Sequence, residues 1–162
     1  MNQPQFFMTR ATLAGRARLA LSFADGFAAE VDLSNVIDAH PTLALLADPD
    51  VFAQVGLDEW SRGVTFAGND ALTLASDNLR AMAIEQAGHF SHSQVIAWME
   101  SHHLTLDQAA DALGLSRRML AYYRSGEKLI PKTVGLAMIG WELIDRTGSG
   151  RANEALAYAQ VA

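Results

Sequence analysis

The sequence contains no cysteine. Disulfides, thiolate metal sites and cysteine nucleophiles are therefore excluded, although the compartment is not settled by that alone. No run approaches the roughly eighteen consecutive apolar residues that a membrane helix needs. The stretch Met1 to Arg10 lacks the basic start and apolar core of a secretory signal, so a cytoplasmic location is expected. Positive charge is also scarce: 12 Lys and Arg stand against 18 Asp and Glu, a net charge of −6 at pH 7. That balance argues against an indiscriminate binder of nucleic acid. No Ser, His and Asp follow one another with a recognisable nucleophile elbow. Gly148-Ser149-Gly150 lacks the preceding strand of a nucleotide-binding loop and reads as a helix end and a link. Neither an enzymatic activity nor a cofactor is expected.

What is present is a chain of 162 residues, half of them hydrophobic, enough for one sizeable domain or two small ones. The charges are unevenly spread. Residues 1–85 hold five Arg and Lys against eleven Asp and Glu, whereas residues 86–162 hold seven of each. Between 114 and 132, Arg117, Arg118, Arg124, Lys128 and Lys132 face Glu127 alone. Attraction for phosphate needs such a local field rather than a basic average.

The first half reads as strands. Leu19, Leu21 and Phe23 alternate with Arg18, Ala20 and Ser22; Phe27, Ala29, Val31 and Leu33 alternate with Ala28, Glu30 and Asp32. Period-two alternation places each apolar set on one face of a sheet. Asp25-Gly26 between them suits a turn with positive φ. An earlier strand is expected over about Phe6 to Leu13, and two short ones over Gln54 to Asp58 and Gly63 to Phe66, around a turn with Trp60. Ser34 reads as an N-cap, Asp48-Pro49 as a second helix start, and Ser76 as the opening of a helix to about Gln86.

This order of elements resembles the bacterial domain of unknown function family 2442. The likeness covers roughly residues 6–85. It rests on the Asp-Gly hairpin, Val31-Asp32-Leu33, the segment Asp48-Pro49-Asp50-Val51-Phe52, a following strand, an aromatic turn and a closing helix. The resemblance implies a small α+β fold and no particular activity. Some relatives are encoded beside small toxin-like partners, so it also implies an antitoxin-like alternative in which this domain grips a protein.

Gln86 to Ser91, with Gly88, reads as a hinge. Ser91 or Ser93 then starts a helix carrying Val95, Ile96, Trp98 and Met99. A second helix follows Thr105 and stops at Gly114, where positive φ is cheap. Ser116 caps a third from Arg117 to Ser125, and Pro131 stands near the start of a fourth. Two helices joined by so short a turn must cross closely, which requires a small residue, here Ala110. Leu113, Leu115, Leu120 and Tyr123 are the expected packing side of the pair.

Leu104-Thr105, Ala110, Leu113-Gly114-Leu115-Ser116, Leu120, Tyr123 and Gly126 follow, without a gap, the pattern of the repressor-type (Xre/Cro-like) helix-turn-helix family. The likeness spans about residues 93–145. It implies a regulator that binds double-stranded DNA, with the early third helix in the major groove. By that resemblance Arg117, Arg118, Ala121 and Tyr122 would meet base edges, and Ser116, Arg124, Lys128 and Lys132 would lie near phosphates. Many members carry Gln directly after the Thr as a phosphate contact; this chain has Leu106. Proteins of this type usually pair, so a homodimer on a near-palindromic site is implied.

The other polar groups have plainer readings. His89, His92, His102 and His103 lack a close Asp partner and read as exposed hinge and helix-end residues rather than metal ligands. Asp48, Asp50, Asp58 and Glu59 read as helix-start and turn residues rather than catalytic carboxylates. Tyr123 is expected to pack, while Tyr122 could pack or face outward. Val134 to Ile144 is apolar almost all round. Such a helix is either the buried core of its domain or, with Leu156, Tyr158 and Val161 of an expected last helix, a dimer or domain contact. The expected organisation is an α+β N-terminal domain, a small antiparallel sheet with short helices, over residues 1–87. An all-α helix-turn-helix domain follows over 88–162.

Overall fold

The computed structural model describes residues 2–148. It divides into two compact units between Ser91 and His92, a few residues beyond the division expected at 87/88. The first unit is α+β and the second is helical.

In the first unit β1 (Met8–Gly15), β2 (Arg18–Phe23) and β3 (Ala28–Asp32) form an antiparallel meander. Leu19 pairs with Val31 and Leu21 with Ala29, so the alternating apolar residues share one face. Asp25-Gly26 makes the turn. Gly26 has φ +91°, and the Asp25 carboxylate accepts the Phe27 amide at 3.1 Å. A second three-stranded antiparallel sheet follows, made of β4 (Val55–Leu57), β5 (Gly63–Phe66) and β6 (Asn69–Ala75). The sequence suggested β4 and β5, but neither β6 nor their separation into a second sheet. Only Leu72 of that strand is fully buried, so its alternation is too weak to stand out after Asn69-Asp70. Gly63 is fixed by close approach: a Cβ there would lie 2.6 Å from the Leu74 carbonyl oxygen.

Between the sheets run α1 (Ser34–Ala39), a 3-10 segment Pro41–Ala47 and α2 (Pro49–Phe52). The 3-10 segment buries Leu43 and Leu46, three apart, as its threefold repeat requires. Asp48 caps α2 as expected, accepting the Asp50 amide at 2.9 Å. Ser34 does not cap α1. It is the first helical residue, and Asp32 accepts both its amide (2.9 Å) and its hydroxyl (2.6 Å). These two bonds hold the Asp32 carboxyl below its usual pKa. α3 (Ser76–Gln86) lays Leu79 and Ala83 into one core with Met8, Leu21, Phe52 and Phe66. Its last residue, Gln86, exchanges two 2.8 Å bonds with the Asp32 backbone.

The second unit consists of α4 (His92–Ser101), α5 (Leu106–Leu113), α6 (Arg117–Arg124) and α7 (Lys132–Thr147). Its interior holds Val95, Trp98, Met99, Ala110, Leu120, Tyr123, Val134 and Met138. Of the two readings of Val134 to Ile144, an all-round buried core helix is not what forms. Val134 and Met138 face inward, but Leu136, Ile139 and Leu143 stay about half exposed (47–52 %) along one stripe. Of the four histidines, His89 and His103 are exposed as expected, whereas two differ. His92 is buried, and His102 bonds Glu142 at 2.6 Å, lies 3.7 Å from Asp145 and meets Trp141 edge-on. The expected last helix with Leu156, Tyr158 and Val161 lies outside the described residues, as do Ser149 and Gly150. Among the described residues no helix is long and apolar enough to cross a membrane.

Candidate nucleic-acid interface

Local sequence positions α5 and α6. Thr105 and Gln108 form a capping box: Thr105 Oγ1 accepts the Gln108 amide at 3.2 Å, and Gln108 Oε1 accepts the Thr105 amide at 2.9 Å. Gln108 lies within α5, so Leu106 in the usual Gln position does not cost the helix its cap. Gly114 ends α5 at φ +69°, and the Leu115 amide reaches back to the Ala110 carbonyl at 2.9 Å. Ser116 then starts α6, its hydroxyl oxygen accepting the Met119 amide at 3.1 Å. Ala109 and Ala110 are buried where the helices cross, and Leu120 and Tyr123 pack inward. Leu113 and Leu115 are half-buried at the edge of that contact.

This packing leaves one side of α6 outward. Arg117 and Arg118 are exposed, and Ala121 and Tyr122 are half-buried one turn later. Arg117 Nε lies 3.1 Å from Asp107 Oδ1 in an exposed ion pair. Arg118 Nε donates to the Tyr122 hydroxyl oxygen at 3.0 Å. Lys128 Nζ lies 5.0 Å from the centre of the Tyr122 ring, and the Arg118 guanidinium 5.5 Å from it. Tyr122 therefore faces outward and gathers two cations, while Tyr123 packs.

Arg124 and Lys132 are exposed but stand apart from that group. Arg124 borders a hollow of about 240 Å³ with Glu100 of α4 and His103 of the turn after it. Lys132 opens α7. Sequence reading missed Asp107 as a partner of this surface. The available signal was an acid at the second position of α5 and a base at the first position of α6, across a three-residue turn. Among the described residues no three His, Asp or Glu converge as metal ligands.

The architecture defined is an α+β unit followed by an all-α helix-turn-helix unit. A crystal structure with this arrangement is that of the "Putative DNA Binding Protein" of Nitrosomonas europaea. It superposes with a TM-score of 0.78 at 35% identity, covering 95% of this chain and 93% of that one. The chain belongs to the same family as that protein. No family model matches the chain, and no curated protein does.

Proposed function

We propose that this protein is a cytoplasmic regulator of transcription that binds double-stranded DNA by laying α6 in the major groove. The observation that carries this reading is the outward side of α6, where Arg117, Arg118 and Tyr122 stand on a helix whose opposite side is fixed in the core, with Lys128 of the following loop over the Tyr122 ring. The name of the Nitrosomonas relative supports it. Base edges fall to Arg117, Arg118, Ala121 and Tyr122, and phosphates to Ser116, Arg124, Lys128 and Lys132. On a selected duplex, Arg117→Ala and Arg118→Ala should each weaken binding by roughly 1–3 kcal/mol and relax sequence preference. Loss of no more than surface charge would instead weaken every duplex alike, and that result would remove base reading from these residues.

The resemblance to repressor-type regulators extends the proposal to a homodimer. One recognition helix covers too few base pairs for selectivity in a genome, and two-fold pairing doubles the site. The exposed stripe Leu136, Ile139 and Leu143 supports α7 as the contact.

A protein partner on the first unit is a second reading, favoured by Trp60. This residue is 71% exposed on a turn that Asp58 fixes by accepting the Trp60 (3.1 Å) and Arg62 (2.9 Å) amides. A rigid, exposed Trp is a common anchor in protein interfaces. Co-purification of a protein by the full chain that Trp60→Ala abolishes would establish this role; capture unaffected by the change would dismiss it.

A further inference from the structure

Arg117 and Arg118 are neighbours in sequence, yet different acceptors hold their guanidinium groups. Asp107 reaches across from α5 to Arg117, and Tyr122 reaches back one turn along α6 to Arg118. In both cases the engaged atom is Nε, on the inner edge of the group: that of Arg118 donates to the Tyr122 hydroxyl, and that of Arg117 faces the Asp107 carboxylate in an ion pair. Among the described residues the terminal nitrogens of both arginines make no hydrogen bond to the protein. The guanidinium is a rigid plane, so fixing Nε orients the plane and leaves the outer fork of two nitrogens to act together. Guanine offers O6 and N7 side by side in the major groove, which is the acceptor pair that such a fork matches.

We infer that Asp107 and Tyr122 are positioning residues that present Arg117 and Arg118 to two guanines in each half-site. The inference rests on the DNA-binding reading and makes it more specific. Stability does not account for the Asp107 pair. Its side chains are 75% and 68% exposed, and ion pairs that open to water contribute little. A carboxylate on a DNA-facing surface also repels phosphate. Its place in the first turn of α5 suits the helix dipole, but any surface position in that turn would serve as well. Ordering Arg117 is what this position adds. Tyr122 does the same for Arg118, and its ring also carries Lys128. A freely rotating arginine loses rotamer freedom on binding any base, whereas one already held loses less and tolerates fewer geometries.

The test uses the full chain, the duplex that it selects from random sequence, and duplexes with each guanine of that site replaced in turn. Asp107→Ala and Tyr122→Phe should each reduce the preference for guanine at one position by about five- to ten-fold, part of a good bidentate contact. The two positions should differ. Asp107→Asn keeps an oxygen acceptor and should restore part of the preference. Binding to an unrelated duplex should be unchanged or tighter for Asp107→Ala. A uniform loss on all duplexes, or an unchanged guanine preference in both variants, would overturn the positioning role while leaving DNA binding intact. Wild-type protein that selects no sequence would overturn the DNA-binding reading itself, and this inference with it.

Discussion

Arg80 and Asp25 form a two-bond ion pair, Nη1 to Oδ1 at 3.0 Å and Nη2 to Oδ2 at 2.7 Å, although the Arg80 side chain is only 2% exposed. Nη1 also donates to the Gln5 carbonyl at 3.0 Å, and the guanidinium lies 4.3 Å from the Phe27 ring centre and 5.1 Å from that of Phe23. One side chain on α3 thus ties the β2–β3 turn to the segment before β1. A guanidinium cannot shed its proton in a protein, so its burial is tolerable only with that carboxylate present. Asp25→Ala should therefore cost about 3–5 kcal/mol, the usual range when a buried charge loses its partner. Arg80→Met removes the charge and keeps much of the volume, and should cost clearly less. Urea unfolding of the full chain gives both values. Equal costs would mean that packing, not charge, sets the effect.

The same pair gives the first unit an acid limit. Burial alone would raise the pKa of Asp25. The Arg80 hydrogen bond, the Phe27 amide and the Arg80 charge outweigh it and hold the carboxyl below its usual value. A depressed folded pKa contributes stability above the unfolded value of about 3.9. That contribution falls away as pH drops through the lower folded value. In a pH series the wild type should lose stability below about pH 4, and Asp25→Asn should show a shallower loss there. Parallel curves for the two proteins would exclude Asp25 as the source.

The caps of the second unit should be measurable one at a time. Thr105→Ala removes half of the capping box, and Ser116→Ala removes the acceptor for Met119. Each should lower stability by about 1 kcal/mol, seen as a lower thermal midpoint with helicity otherwise retained. Gly114→Ala strains a residue at φ +69° and should cost a similar amount, about 1 kcal/mol, even though a Cβ there meets nothing within 4 Å. A larger loss for Gly114→Ala than for both cap changes together would mean that the turn, not the caps, holds the two helices.

Assembly can be tested on α7. If the stripe of Leu136, Ile139 and Leu143 is the contact, light scattering of the full chain should give a dimer mass. Ile139→Asp should give a folded monomer. Wild-type protein of monomer mass at tens of micromolar, with and without DNA, would remove the dimer.

Much of this was legible in the sequence because local rules govern it. The β2–β3 alternation, the Asp25-Gly26 turn, the Asp48 cap and the punctuation of α5 and α6 by Thr105, Gly114 and Ser116 all act within a few residues. The missing parts depend on neighbours distant in sequence. β6 is defined by pairing with β5 rather than by its own alternation. Gly63 is needed because the Leu74 carbonyl lies against it. His102 finds Glu142 forty positions away, and composition alone suggested no partner. Val134 to Ile144 of α7 is apolar almost all round, and only the packing of the unit decides which of its sides stays open. At the candidate interface the cations were legible one by one, whereas the acceptors that orient them were not.

The phosphate contacts should behave differently from the base readers. Lys128→Ala and Lys132→Ala should weaken selected and unrelated duplexes by equal factors and flatten the dependence of affinity on salt, by a slope of about 0.9 for each phosphate lost. Sequence-dependent losses would move these residues from phosphate to base contact.

The central claim is that α6 reads duplex DNA, and the measurement closest to it is selection of bound sequences from random duplexes by the full chain at fixed, low salt. The expected result is an enriched, near-palindromic site with half-sites about one helical turn apart. Guanines should stand at the positions that lose preference in Arg117→Ala and Arg118→Ala. A pool that stays random after repeated rounds would contradict the account.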